Sequence, residues 1–163
     1  MDANTVTAFR FTRRYAELLL AGIEESQMTE QPHPGMNHPA WIIGHLAIGA
    51  DFISSLLGHG MATGDEEMAA FGPGSTPSAS RADYPSKSEL LDLLCRMIDR
   101  GIPMAEAATP QQLSQPNETP FFPETFPTVG DLLTHLMTTH AALHLGQLSA
   151  WRRAMGLGSV LGI

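Results

Sequence analysis

The chain has 163 residues, a formal net charge of −8 and 43% hydrophobic residues, a composition typical of one globular domain, so we expect a single domain over residues 1–163. With nine Lys and Arg against seventeen Asp and Glu, the net charge is negative, whereas a protein that binds nucleic acid neutralises phosphates with positive charge. We therefore expect no nucleic-acid partner. The single cysteine, Cys95, cannot form an internal disulfide, which favours a cytoplasmic location and a role as a small core residue.

The hydrophobic segments do not predict a membrane protein. The first twenty residues place an acid and three arginines before a short apolar patch, which does not match the order of a signal peptide. The most apolar stretch, residues 41–57, contains His45 and Asp51 and is shorter than an uninterrupted membrane span. We therefore expect a soluble protein with no membrane partner.

The first half of the chain predicts two amphipathic helices. Apolar residues recur at helical spacing over residues 5–26, which predicts the first helix. A breaker with two prolines follows, after which Asn37 is an expected N-cap and Pro39 lies in the first turn of a second helix. That helix is predicted to reach Leu57, because Gly58 follows it.

The second half predicts two more helices after long connections. The Gly- and Pro-rich composition of residues 60–85 predicts an irregular crossover with one short helical turn at residues 65–70. A capping box at Ser86 begins the third helix. The fourth helix follows a Pro-rich link and spans residues 128–155, with Thr128 as its cap. The sequence therefore predicts an all-α fold, a four-helix bundle with long crossover connections.

Three histidines fall on the helix faces that should point into this bundle. His140 and His144 lie in the apolar stripe of the fourth helix, and four positions give them an offset of only about 40°. His45 lies on the corresponding face of the second helix. His135 is about 140° round the fourth helix from His140 in a regular α-helix, so we expect it to face solvent or a neighbour.

A divalent transition metal would provide a bonding partner for the nitrogens of three imidazoles that are buried away from water. Each buried imidazole needs partners for two nitrogens, and three neutral histidines with one open position are typical of catalytic zinc. Zinc or nickel is the expected ion, while cobalt, copper and iron are compatible with the ligand type. His38 is too far along the axis to share the ion, so a helix-start contact or the pocket mouth is expected for it. His33 and His59 are expected in exposed loops.

Two segments carry a resemblance to a known family. Residues 37–47, NHPAWIIGHLA, and residues 128–155, TVGDLLTHLMTTHAALHLGQLSAWRRAM, together resemble the DinB/YfiT-like metalloenzymes, in particular the DinB-like branch. The order of segments fits over nearly the whole chain. The resemblance implies a four-helix bundle with a metal held by His45, His140 and His144, the same three residues that helical periodicity selects. It also implies a homodimer and, in some relatives, thiol S-transfer or isomerisation with a low-molecular-weight thiol such as bacillithiol or mycothiol.

Three functions stay open at this level. The first is a metal-dependent enzyme of the thiol S-transferase type acting on a small-molecule substrate, and the same site could instead activate water as a hydrolase. The second is a metal-binding stress or interaction protein without turnover, and the third is a bundle without metal. Gln147 could orient a ligand. No general base is apparent, because no carboxylate shares the stripes of the three histidines, and Arg152 and Arg153 are expected as helix-end charges in water.

Overall fold

The computed structural model describes residues 1–162, which contain helices but no β-strand; this confirms the all-α prediction. The predicted domain ends at Ile163, which lies outside the described residues. The α-helices are α1 (Ala3–Leu20), α2 (Pro39–Leu56), α3 (Asp65–Phe71), α4 (Lys87–Ala107), α5 (Pro110–Leu113), α6 (Val129–His135) and α7 (Ala141–Ala154). Two short 3-10 helices cover Glu25–Thr29 and Arg81–Asp83. A π-helical segment, Leu136–His140, joins α6 to α7 without a break.

The predicted N-caps are the ones observed, except at α2, where the N-cap is one residue later. Ser86 and Thr128 each form the predicted capping box, with Glu89 and Asp131 respectively. At α2, however, the N-cap is His38 rather than Asn37, because the Nδ1 of His38 accepts the backbone N–H of Trp41. This capping role satisfies a free helix amide and explains how a fully buried histidine is used at the helix start.

The first helix is shorter than predicted. Instead of continuing to residue 26, α1 ends at Leu20, and Gly22 adopts a φ of 74° that L-residues rarely adopt. The chain then continues as the 3-10 helix Glu25–Thr29. The apolar periodicity persists across this break because Ile23 is buried like the residues before it, so the pattern alone did not show where the backbone turns.

Helix α2 lies at the centre of the fold. It packs against α3, α4 and α7, most extensively against α4, where Gly101 approaches the backbone of Ala50. α2 is long and apolar enough to cross a membrane by length and composition, but 78% of that 18-residue window is buried inside the protein. Such burial is typical of the core helix of a soluble protein.

The end of α7 is tied to the end of α1 by a buried arginine. Nη1 of Arg152 donates to the carbonyl oxygens of Leu19 and Ala21, each at 2.7 Å, and the side chain is buried, whereas Arg153 is exposed. The prediction that Arg152 is a helix-end charge in water is therefore wrong. The guanidinium donates hydrogen bonds to the free carbonyls at the end of the neighbouring helix, and its positive charge also interacts favourably with the negative C-terminal end of its own helix dipole.

The crossover after α2 is anchored on Asp51. Oδ2 of Asp51 accepts the backbone N–H groups of Ala62 and Thr63 at 2.7 and 2.8 Å, and Oδ1 accepts a bond from Nη1 of Arg100 at 2.6 Å. Arg100 also donates to the carbonyl of His59. The fully buried Asp51 carboxylate thus fixes the start of the crossover to α2 and α4.

Candidate metal centre

The structure brings His45, His140 and His144 together from α2, the π-helical segment and α7. One ring nitrogen of each histidine lies within 4.8 Å of the other two. The Nε2 atoms of His45 and His140 are 3.2 Å apart. Two nitrogens bound to one tetrahedral zinc at 2.0–2.1 Å are separated by about 3.3 Å, so this pair already has the spacing of two ligands.

His45 is oriented by the crossover. Its Nδ1 is 2.7 Å from the carbonyl oxygen of Phe71, the last residue of α3, and because a carbonyl only accepts, Nδ1 carries the hydrogen. The Phe71 ring packs so closely on Gly44 that a Cβ there would lie 2.2 Å from it. Trp41 stacks on the other side of the His45 ring, with centroids 4.6 Å apart. These contacts hold the ring with Nε2 toward the other histidines.

His144 is oriented by Gln147, which lies three residues further along α7. The Nδ1 of His144 lies 3.1 Å from Oε1 of Gln147, and the same oxygen accepts a bond from Nδ2 of Asn37 at 3.2 Å. The amide oxygen fixes the hydrogen of His144 on Nδ1 and leaves Nε2 as an acceptor or ligand. Asn37, at the entry to α2, therefore supports a histidine on α7.

His140 depends on the π-helical segment and on a glycine. It is the last residue of that segment, where the wider turn alters the angular position of each side chain from the regular value. Its ring lies over Gly49 of α2, where an added Cβ would stand 2.8 Å from Cε1 of His140. The absence of a side chain at position 49 provides the space for this ring.

Burial keeps the three imidazoles neutral. Desolvation, followed by the neighbouring His144 and His45, lowers the pKa of His140 to about 3. Desolvation, followed by His45, lowers the pKa of His144 to about 4, and desolvation also lowers the pKa of His45. Metals bind neutral imidazole. The donor set, the close approach of the His45 and His140 Nε2 atoms and the supporting hydrogen bonds therefore fit a divalent transition metal.

A cavity of about 260 Å³ adjoins the histidine cluster. His45 and His140 line it on the side of the cluster, and α2 contributes one wall through Ile48 and Phe52. Residues from both long connections and from the α6–π region complete it: Met68, Pro73, Phe121, Phe122, Leu132, His135 and Leu136. The crossover after α2 and the Pro-rich link before α6 thus both shape this cavity.

The link before α6 is held by Asn117. Nδ2 of this buried residue donates to the carbonyl oxygens of Phe121 and Phe126 at 3.1 and 2.9 Å, and Oδ1 accepts the backbone N–H of Thr119. The loop is thereby closed on itself, with Phe121 packed edge-on against Phe52 at 5.5 Å between centroids. This internal bonding fixes the phenylalanines at the cavity.

His38, His33 and His59 lie where the sequence predicted them, whereas Cys95, predicted as a small core residue, lies outside the buried core. His38 makes the expected helix-start contact, and its Nε2 bonds to the carbonyl of Ser78 at 2.9 Å. His33 and His59 are exposed. Cys95 is half-buried, and burial raises the pKa of its thiol, which disfavours the thiolate form.

His135 lies outside the three-histidine cluster, as helical periodicity predicted, but its ring faces the cavity. Its ring lines the cavity, lies 5.9 Å from the His140 ring and stacks on Phe126 at 4.4 Å. It does contact a neighbour, as expected, but on the cavity side. Because the π-helical segment has a wider turn than a regular α-helix, residues five positions apart come closer in angle, which places His135 and His140 along the same cavity.

These features define an all-helical protein with a three-histidine cluster suited to a divalent metal. The sequence model of the DinB superfamily matches residues 8–148. The chain therefore belongs to the DinB superfamily, whose members often bind metal. No curated protein matches the chain.

Proposed function

We propose that this DinB superfamily protein is a four-helix-bundle metalloenzyme in which His45, His140 and His144 hold one divalent transition metal, zinc or nickel, for transfer of a small thiol to an electrophile. The observation that carries the proposal is the convergence of three imidazoles, two of which have Nδ1–H bonded to an oxygen, so that Nε2 is left as the ligand atom. Metal-ligating histidines almost always donate their other ring N–H to such an oxygen acceptor.

The cavity favours an enzyme over a non-catalytic metal protein. Structural zinc sites are closed by four protein ligands, whereas catalytic sites keep an open position. Here His45 and His140 border a cavity, and the histidine cluster, among the residues that the structure describes, comprises three potential ligands. A substrate in the cavity would therefore approach the ligand atoms directly.

The lining of the cavity favours a thiol over water as the nucleophile. A divalent metal on three imidazoles lowers the pKa of a thiol or water that it coordinates. Over residues 1–162, no carboxylate lines the cavity, and a free thiol has a pKa near 8.5, far below that of water. Thiol transfer thus needs less help from a general base than hydrolysis does.

The residues have separate tasks in this proposal. Phe71 and Gln147 orient His45 and His144, and the apolar walls exclude water from the reacting end of the cavity. In transfer, the S–H bond breaks and an S–C bond forms, while the bond from carbon to the leaving group breaks and that group departs with the proton.

The homodimer, the cytoplasmic location and the absence of nucleic-acid and membrane partners stay predictions from the sequence.

Elemental analysis tests the metal site first. The purified protein is incubated with Zn²⁺ or Ni²⁺, dialysed, and compared with the His140→Ala/His144→Ala double variant and with a His59→Ala control, in which an exposed loop histidine is removed. We expect about one metal per chain in the wild type and the control, and none in the double variant. Wild-type protein without metal after incubation with either ion would overturn the proposal.

A second assay tests the reaction. Cysteine serves as the thiol and 1-chloro-2,4-dinitrobenzene as the electrophile, so that each turnover forms one S–C bond and releases chloride and a proton. We expect the metal-loaded wild type to accelerate this reaction and the double variant to leave the uncatalysed rate unchanged. Equal rates for wild type and double variant would contradict thiol transfer to this electrophile.

A further inference from the structure

The cavity beside the histidines carries no charged side chain from Asp, Glu, Lys or Arg among residues 1–162. Its walls consist of aliphatic residues, three phenylalanines and Met68, and its only titratable groups are His45, His140 and His135. In the metal-free protein, an ionised ligand would lose its hydration here without gaining a charged Asp, Glu, Lys or Arg partner from the walls.

The size and shape of the cavity fit an aromatic ring. An engineered apolar cavity of about 150 Å³ binds benzene, and the volume here is about 260 Å³. Phe52 and Phe121 meet edge to face at 5.5 Å, so they present both ring edge and ring face, the two surfaces that aromatic ligands contact. The thioether of Met68 adds a polarizable surface.

Phe122 stands at the solvent side of this cavity in an unusual backbone conformation. It lines the cavity, yet its exposed fraction is 64%. Its φ is 50°, the only positive φ of a non-glycine residue among those described, a conformation that costs free energy for a bulky side chain. Its carbonyl accepts the N–H groups of Thr125 and Phe126 at 2.9 and 2.8 Å, which hold this turn in place. A large apolar side chain is thus kept at the entrance despite the strain.

We propose that the cavity binds an uncharged aromatic or similarly apolar part of the electrophilic substrate, with Phe122 closing over its outer side and the reacting carbon directed toward His45 and His140. The assignment of a reacting end rests on the proposed function. The apolar binding site itself rests on the walls, and it is testable without metal.

Ligand binding to metal-free protein tests this inference directly. The probes are 2-naphthol and 2-naphthoate, which share one ring system and differ in charge at pH 7, and binding is measured by calorimetry in the presence of EDTA. We expect 2-naphthol to bind at one site per chain and 2-naphthoate to bind at least about tenfold more weakly, since the carboxylate finds no cation. Equal affinity for the two probes would overturn the inference.

Substitutions at Phe122 locate the bound ring. Asn and Asp tolerate positive φ better than Phe, so Phe122→Asn and Phe122→Asp should fold at least as stably as the wild type. We expect Phe122→Asn to weaken 2-naphthol binding about fivefold through the lost aromatic contact, and Phe122→Asp to weaken it further. Phe11→Asp, a change at an exposed phenylalanine of α1 outside the cavity, is the matched control and should bind as the wild type does.

Metal content measured on the same samples separates the two proposals. Metal uptake without 2-naphthol binding would overturn this inference and leave the metal site standing. Binding of 2-naphthol without metal uptake would overturn the proposed function and, with it, the role of the cavity as a substrate site. Wild-type affinity in Phe122→Asp would show that the ring binds elsewhere and would overturn the inference.

Discussion

The Nε2 atoms of His45 and His140 lie 3.2 Å apart, although the residues are 95 positions apart in the chain. The Nδ1–H of His45 is donated to the carbonyl of Phe71, so the neutral His45 has a lone pair on Nε2, and the hydrogen between the two rings belongs to His140. Coordination through both Nε2 atoms requires this hydrogen to move to the Nδ1 of His140. The metal-free cluster is thus held together by a hydrogen bond at the positions where two ligand atoms would lie.

The metal-free protein should lose stability as the pH falls from about 6.5 to about 4. Unfolded histidines have a pKa near 6.5, while the folded pKa values of His140 and His144 are about 3 and about 4. In this interval the unfolded state binds more protons than the folded state, so the free energy of unfolding decreases on acidification. Urea unfolding in EDTA at a series of pH values measures the slope.

The control for this pH dependence is the His140→Ala/His144→Ala double variant. It retains the carboxylates, which also contribute to acid unfolding, but lacks two of the groups that take up protons on unfolding. Its free energy of unfolding should therefore fall less steeply over the same interval. Parallel slopes for the two proteins would contradict the low folded pKa values.

Gly49→Ala should weaken metal binding while leaving the fold intact. The new Cβ would stand 2.8 Å from Cε1 of His140, so the ring must move from its present position beside residue 49. We expect a loss of metal affinity of about tenfold or more, because small displacements of a ligand are costly at a site of fixed geometry. Competition with a chromophoric chelator measures the affinity.

Gly146→Ala is the matched control for that substitution. Gly146 also lies in a helix beside the site residues of α7, but a Cβ there meets nothing within 4 Å. This variant should keep wild-type metal affinity and gain about 0.5–1 kcal/mol of stability from the better helix propensity of alanine. A similar loss of affinity in both glycine variants would show that the close approach at Gly49 is not the cause.

Much of the histidine cluster was predictable because helical periodicity is a local property. His45, His140 and His144 share apolar stripes whose direction follows from spacing alone, and the capping boxes at Ser86 and Thr128 fixed two helix starts. The cavity was not predictable in the same way. Its walls come from two irregular connections, and their positions depend on contacts between residues far apart in sequence, such as His45 with Phe71.

The π-helical segment marks the limit of the periodicity argument. A constant rotation of about 100° per residue places His135 away from His140, whereas the structure places both at the cavity. Nothing in the residues Leu136–His140 distinguishes them locally from an α-helix. Likewise, the adjacent Arg152 and Arg153 look equivalent in sequence, and only the end of α1 distinguishes the buried one from the exposed one.

Gln147→Leu should lower metal affinity by about ten- to a hundredfold, the range typical for loss of a hydrogen bond that orients a ligand. The Nδ1–H of His144 would lose its acceptor, and Nδ2 of Asn37 would lose the same oxygen. Gln147→Glu keeps an acceptor at this position and should restore most of the affinity. If Gln147→Glu were as impaired as Gln147→Leu while both folded normally, the orienting role of this oxygen would be refuted.

Asp51→Ala should destabilise the protein by about 3 kcal/mol, since it removes the acceptor for two backbone N–H groups and for a partly buried guanidinium. Asp99→Ala is the matched control, because Asp99 pairs with Arg13 while its side chain is 61% exposed, and such surface pairs contribute about 0–1 kcal/mol. Urea unfolding measures both. Because Asp51 holds the start of the crossover that carries Phe71 and Met68 to the site, its loss should also reduce metal affinity, whereas Asp99→Ala should not. Equal stability of the two variants would show that the crossover does not depend on the Asp51 carboxylate.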